Sequence, residues 1–555
     1  MRNSIIVFVS CLTLSLSSCG DNNQTETVTS TDLGPDFDLL TTSVGTVHFP
    51  VGCNAEAAPL VERGVALIHH MMYEEAEFVF SMADDADPNC AMAYWGQAMT
   101  IMHPLWPDVP TNEKLAKGQA LVAKTMELGG HSERENAYLE TTRTYFDGEI
   151  SQPESERLKR FAAEWEKLND AYPDDLDARA FHALTLLSTA DRGDLNLVKQ
   201  RAAGALAFSV LDENPDHPGG HHYIIHSYDD PKLAEMARTT ADKYGQLTPR
   251  VPHATHMMTH TYTRLGDWEK SIEWNMVSSE TALALCIERG EVNNHYTHAL
   301  DYLAYAHLQK GNDAAAIQVL KDYSVLEAPY SDLNRSSFAY AFSALPARIA
   351  LEQRDWETAT KLQPKIPRDF PWEKGHDQYV AITHFTRAVA LSHLGRFDEA
   401  DAEIETLYNL RMGMGDSSPY WSKQVEIQEV SARAWQIYAR GNIEEGLDLM
   451  KQATILEAST EKHAVTPGEV LPATEMYGDM LLENGSYAEA LAAYQAALTR
   501  APGKYNSLYG AGKAAMALGD NAMAKEYFEV LLQNAENVSG SRTTTNDVRM
   551  LMASF

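Results

Sequence analysis

Along most of the chain the small and apolar positions return at helical spacing rather than in alternation. Glycine is followed twelve residues later by alanine, four further on by an aromatic, then by a second alanine after three and a proline after five. Near the end this reads Gly478, Ala490, Tyr494, Ala497 and Pro502, and near the start Gly64, Ala76, Phe80, Ala83 and Pro88. The spacing predicts paired helices: small residues let the two approach, the aromatic fills the gap between them, and the proline ends the second. Gly266-Asp267-Trp268, Gly311-Asn312-Asp313, Gly395-Arg396-Phe397, Gly441-Asn442-Ile443, Gly485-Ser486-Tyr487 and Gly519-Asp520-Asn521 read as the turns between helices, with glycine supplying the left-handed stop. No strand-like alternation and no phosphate-binding glycine loop appears, so dinucleotide-binding and P-loop folds have nothing to rest on.

These residues resemble the tetratricopeptide repeat (TPR), a helix-turn-helix unit of about 34 residues. The resemblance implies an all-α solenoid, a superhelix of about eight or more repeats, some irregular. Ala234, Ser271 and Ala316, taken as equivalent positions, are 37 and 45 residues apart, so the middle carries insertions. The expected organisation is a leader at 1–18, a tether at 19–45, an N-terminal array at 46–320 and an irregular connection at 321–375. A C-terminal array at 376–540 and a tail at 541–555 follow. Pro329, Pro346, Pro364, Pro367 and Pro371 make the connection a candidate break. A narrower resemblance rests on Tyr73-Glu74-Glu75-Ala76, Cys90 through Gly96, His103-Pro104-Leu105-Trp106, His222 through His226, His256 through His260, and Leu471-Pro472-Ala473 through Gly478-Asp479. These segments are similar to a family of bacterial TPR proteins about 500 residues long. That likeness implies the fold and no reaction, and the chain departs from it at His221, where the family carries a polar amide.

The N-terminus breaks the repeat pattern. A short positive start is followed by Ile5 through Val9 and by Leu12, Leu14 and Leu16, an apolar core of secretory-signal length and too short for a membrane span. Leu16-Ser17-Ser18-Cys19-Gly20 resembles the lipobox of bacterial lipoproteins, which implies cleavage before Cys19 and lipidation of its thiol. Gly20 stands where that family's inner-membrane retention signal has aspartate. The implied address is therefore the outer membrane, facing the periplasm or the cell surface, with lipid as the only membrane attachment. In that oxidising setting Cys53 and Cys90 are the candidate disulfide, and Cys286 reads as a buried thiol.

Of the 555 residues, 78 are acidic and 45 basic, and removing Arg2 with the leader takes the net charge from −33 to −34. Such acidity opposes a phosphate backbone and an anionic bilayer, which excludes a general nucleic-acid binder and an electrostatic membrane coat. A cationic or neutral ligand fits more easily than a polyanion.

Histidine is the chemistry on offer. Of 20 histidines, ten fall between 217 and 307. His222 with His226 and His256 with His260 have the i,i+4 spacing that puts two imidazoles on one helix face, within reach of one metal ion. In the tetratricopeptide register, His253, His256 and His260 take repeat positions 2, 5 and 9, and His298, Asp301 and Tyr305 the same positions of the next unit. The resemblance implies that these positions line the concave groove, together with His69 and His103 at position 13 and His226 at position 12. His222 falls at a helix-packing position. Three readings stand: a metal site from His222, His226, His256, His260, His298 and Asp301; a polar groove for a protein, peptide or small ligand, lined also by His69, His103, His253 and Tyr305; or unrelated structural histidines. Imidazole with one carboxylate suits zinc, copper or iron. A binding scaffold leads, with a metal-binding protein or metal-dependent enzyme as the alternative, and no residue is assignable as catalytic. Asp84-Asp85-Ala86-Asp87 lacks the glycine and closing glutamate of a calcium loop, and no Ser or Cys nucleophile motif appears.

Overall fold

The computed structural model describes residues 37–106, 108–323, 328–415, 418–538 and 542–554. The leader, Cys19 and the first part of the expected tether lie outside the described residues. Among those described, 25 α-helices follow one another, each packed chiefly against its neighbours in sequence, as an all-α TPR-like solenoid. No helix among them is long and apolar enough to cross a membrane.

The recurrent glycines and aromatics explain the pairing. The ring of Phe80 occupies the space where a Cβ on either Gly64 or Gly96 would sit, 2.6 and 2.2 Å from its atoms, and Tyr494 stands in the same way between Gly478 and Gly510. Each ring therefore locks two helix pairs together. Ala76, Ala83 and Ala490 are fully buried beside them. All six expected turn glycines have positive φ, from 67° at Gly311 to 98° at Gly441, a conformation that strains any residue with a Cβ.

Three expected boundaries shift. From Phe37 onward the expected tether is packed: Phe37 and Val44 join the first core, and Arg63 donates to the carbonyls of Leu39 and Thr42. The proline-rich stretch does not break the array. Helix Arg335–Glu352 runs through Pro346, and Tyr330 and Phe370 fold onto Phe338 and Phe342 within the second core. The tail forms helix Thr543–Met552, secured by Arg542 on Asp313 at 2.7 Å and by buried Val548. Cys53 and Cys90 form a disulfide that ties the segment before the first helix to the end of the first pair.

The superhelix also closes on itself. Lys504 pairs with Glu352 and lies 3.4 Å from Glu475, all three virtually without solvent contact. Trp268 Nε1 donates to the carbonyl of Gly503, and the 503 turn packs on Gly266. Residues 459–472, between helices Ile443–Ala458 and Ala473–Glu483, cross to the middle of the array. There the Tyr302 hydroxyl lies within 3.1 Å of the carbonyls of Ala464 and Thr466. Arg348 donates to those of Gly468 and Glu469.

Two predictions follow from this packing. Lys504→Met leaves two buried carboxylates without their cation and should lower the unfolding free energy by about 3–5 kcal/mol in urea titrations; a loss under about 1 kcal/mol would mean that the closure is not anchored there. The second concerns acid. His70 lies between the Tyr244 hydroxyl (2.7 Å) and the Val44 carbonyl (3.0 Å), and His393 stacks on Trp356 with Trp435 tilted against its other side. Burial pushes both down to about 3. The unfolded chain, with imidazoles near 6.5, binds the extra protons, so stability is level above that value and falls as the pH drops towards 3. Each of the two should account for roughly 2 kcal/mol lost between pH 6.5 and 4.5, read as proton uptake on unfolding in that window.

Candidate metal centre

Three helices carry the histidines of interest: Pro218–Ser227, Pro252–Leu265 and Asn294–Gln309. The first two begin with proline, whose fixed φ suits the first turn, and the third is capped by Asn293, which accepts from Tyr296 N. The middle helix lies against both others. The i,i+4 pairs His222/His226 and His256/His260 thus face each other and His298 across the helix seams.

The imidazoles gather into two sets of three. In His256, His260 and His298 the ligating atoms all lie within 4.8 Å of one another, and the same holds for His222, His226 and His253. The sets adjoin, with ring centres 5.8 Å apart for His226 and His260 and 6.2 Å for His253 and His256. The sequence reading expected one site with Asp301 as its carboxylate and His253 merely lining the groove. His253 instead completes a set, while buried Asp301 faces Arg348 at 3.2 Å. His222 serves packing and cluster at once: its Nδ1 lies 2.6 Å from the carbonyl of His69, and its Nε2 is buried without a hydrogen-bond partner among the described residues.

Hydrogen bonds fix the protons of the first set. His256 Nδ1 is 2.8 Å from Asn275 Oδ1, and that amide is oriented by Nδ2 donating to the Ser271 carbonyl at 2.8 Å. His260 Nδ1 is 3.0 Å from Asp229 Oδ2. An amide oxygen and a carboxylate accept only, so both Nδ1 atoms carry hydrogen, and in the neutral rings both Nε2 atoms carry lone pairs. Those lone pairs face each other across 3.1 Å. Burial would raise Asp229, but Lys462, Arg264 and His260 hold it well below the usual carboxylate range. Burial first, and neighbouring imidazoles second, depress His226, His253, His256 and His298 well below 6.5. The rings are thereby neutral, the form in which imidazole ligates metal.

The other sequence candidates lie elsewhere. His69 and His217 both bond Asp177 Oδ1, at 3.0 and 3.3 Å. Their remaining nitrogens meet the Tyr223 hydroxyl and the amide of Gly220, so this third cluster is internally satisfied. His103 lies between Asp108 and the Thr100 carbonyl. Tyr305 packs on Trp268 and Arg348. Sequence reading missed Asp229, although it follows His226 by three residues in a Tyr-Asp-Asp-Pro turn. It also missed Asn275, and Lys462 on the crossing segment, 2.9 Å from Asp229.

A cavity of about 20 Å³ touches both sets through His226, His253, His260 and His298. That is room for one water-sized occupant. Trp106, His226 and His463 also border a cleft of about 530 Å³ between the 187–200 connection and residues 457–464. Three imidazoles leave at least one position of a tetrahedral ion open to a water or an incoming ligand.

Compared with known sequences, residues 505–537 match the tetratricopeptide repeat. Comparison with curated proteins gives no match. Among solved structures the chain is similar to the APC/C hetero-tetramer Cut9–Hcn1, at 11% identity over 90% of this chain and 96% of that one, with a TM-score of 0.31. It is similar also to the TPR domain of P58(IPK), at 14%, 84%, 99% and 0.21, and to Ypp1, at 8%, 90%, 87% and 0.36. The helix pair Tyr505–Ala517 and Asn521–Asn534 is thus a tetratricopeptide repeat within the all-α array.

Proposed function

We propose that this protein is a TPR-like scaffold that binds a transition-metal ion through His256, His260 and His298. One observation carries the reading: two acceptor-fixed imidazoles present their Nε2 lone pairs to each other at 3.1 Å. That contact is repulsive alone and becomes favourable with a cation between the lone pairs and the nearby ring of His298, 4.3 Å from that of His256. The spacing is close to the edge of a tetrahedral site with bonds near 2.0–2.1 Å, roughly 3.3 Å. Asp229 and Asn275 supply the outer hydrogen bonds that orient metal-bound imidazole and raise its basicity. All-imidazole donors suit copper, zinc or iron. The signal-like leader and Cys19 support a lipid-anchored place in a bacterial envelope, where such ions are encountered outside the cytoplasm.

A second reading is the binding of a protein or peptide at the cleft, favoured by its mixed wall of Leu105, Trp106 and Leu187 beside Arg192 and Lys232. Residues 459–472 fill the middle of the array, so such a partner would enter at this opening. Loss of a captured partner on Trp106→Ala, with metal content unchanged, would support that contact.

Elemental analysis before and after chelation tests the metal reading. The full chain should retain metal that His256→Ala and His260→Ala lose, and Asp229→Asn should weaken affinity by about 10–100-fold. Less than about one ion in ten wild-type chains after loading would overturn it.

A further inference from the structure

We infer that His222, His226 and His253 form a second metal site beside the first, so that the chain holds two late transition-metal ions in one imidazole chamber. The Nε2 atoms of all three are buried and have no hydrogen-bond partner among the described residues. His222 Nδ1 donates to the His69 carbonyl, which leaves its Nε2 as the lone pair. The ring centres of His226 and His253 stand 4.8 and 5.1 Å from that of His222. Three buried ring nitrogens without a partner are costly in a packed interior, and with the protons of His226 and His253 on Nδ1, as His222 has its own, one cation satisfies all three together.

The molecule contains its own contrast. His69, Asp177 and His217 gather as closely, yet each of their ring nitrogens has a protein partner, and that cluster needs no ion. Orphaned nitrogens, not proximity, separate the proposed site from it. The donor set also limits the occupant. Neutral imidazoles with neither carboxylate nor thiolate select against calcium and magnesium and favour copper or zinc. Because the 20 Å³ cavity is lined by members of both sets, a water or hydroxide there would face both ions.

This site uses none of the residues assigned to the first ion, so the two readings can fail separately. The probe is cupric ion added to the metal-free full chain, with weakly held copper removed by brief gel filtration before elemental analysis. Wild type should keep two equivalents, His222→Ala/His226→Ala one, His256→Ala/His260→Ala one, and His217→Ala two. Wild type keeping one equivalent, lost only from the His256→Ala/His260→Ala chain, overturns the second site and leaves the first. One equivalent lost only from His222→Ala/His226→Ala keeps this site and overturns the first. Two equivalents surviving in His222→Ala/His226→Ala overturn this assignment. Electron paramagnetic resonance of copper-loaded wild type supplies a reading that does not depend on a double variant folding. Two adjacent cupric ions give a dipole-broadened signal with a half-field line, or a reduced spin count where a hydroxide bridges them, whereas a full, sharp signal from isolated ions overturns the paired chamber.

Discussion

Everything in this molecule depends on how closely two helices can approach when one contributes no Cβ. Phe80 against Gly64 and Gly96, and Tyr494 against Gly478 and Gly510, set the separation of successive pairs. Gly219 plays the same part near the histidines, since a Cβ there would fall 2.6 Å from His69 Nδ1. That approach lets His222 reach the carbonyl of His69 and aim its other nitrogen inward. Imidazoles one helix apart then stand within a few ångströms, because regular stacking repeats the same inward face.

Burial gives those imidazoles their chemistry. An exposed histidine near neutral pH divides between charged and neutral forms and exchanges partners with water. In the three central helices desolvation is the first force against protonation, joined by the neighbouring imidazole at His256 and opposed by Asp229 at His260, and each proton that can be assigned lies on the nitrogen facing an acceptor. Asp229 is the counterweight, a carboxylate kept ionised by Arg264 and Lys462 while it accepts a hydrogen bond from His260 Nδ1.

The repeat was legible because its carriers are local. Glycine, alanine and aromatic at fixed offsets state the helix pair, and positive φ at all six turn glycines follows from the same spacing. The i,i+4 histidines were legible for the same reason. Their division into two sets was not, since His253 joins His222 across a helix seam and register alone gave it only a groove position. Asp301 shared the register of His256 but met Arg348, a partner 47 residues away that no period announces. Asp177, which quiets His69 from 108 residues away, and Lys462, which steadies Asp229 from 233, come from still more distant segments. The expected tether hid Phe37 and Val44 in a polar stretch, where two apolar side chains, with Arg63 and His70 on its carbonyls, fasten a segment whose composition reads as loose.

Repeat arrays commonly gain and lose units, since each touches only its neighbours. The segment 459–472 removes that freedom here. It carries Lys462 to Asp229 and joins Arg348 to Gly468 across more than a hundred residues. An extra helix pair inserted between residues 310 and 440 would carry those contacts out of phase by one step of the superhelix. The protein is therefore of fixed length in its middle, a closed ring of commitments written in the grammar of an open chain, and variation in unit number can be accommodated only beyond the points where the closure is made.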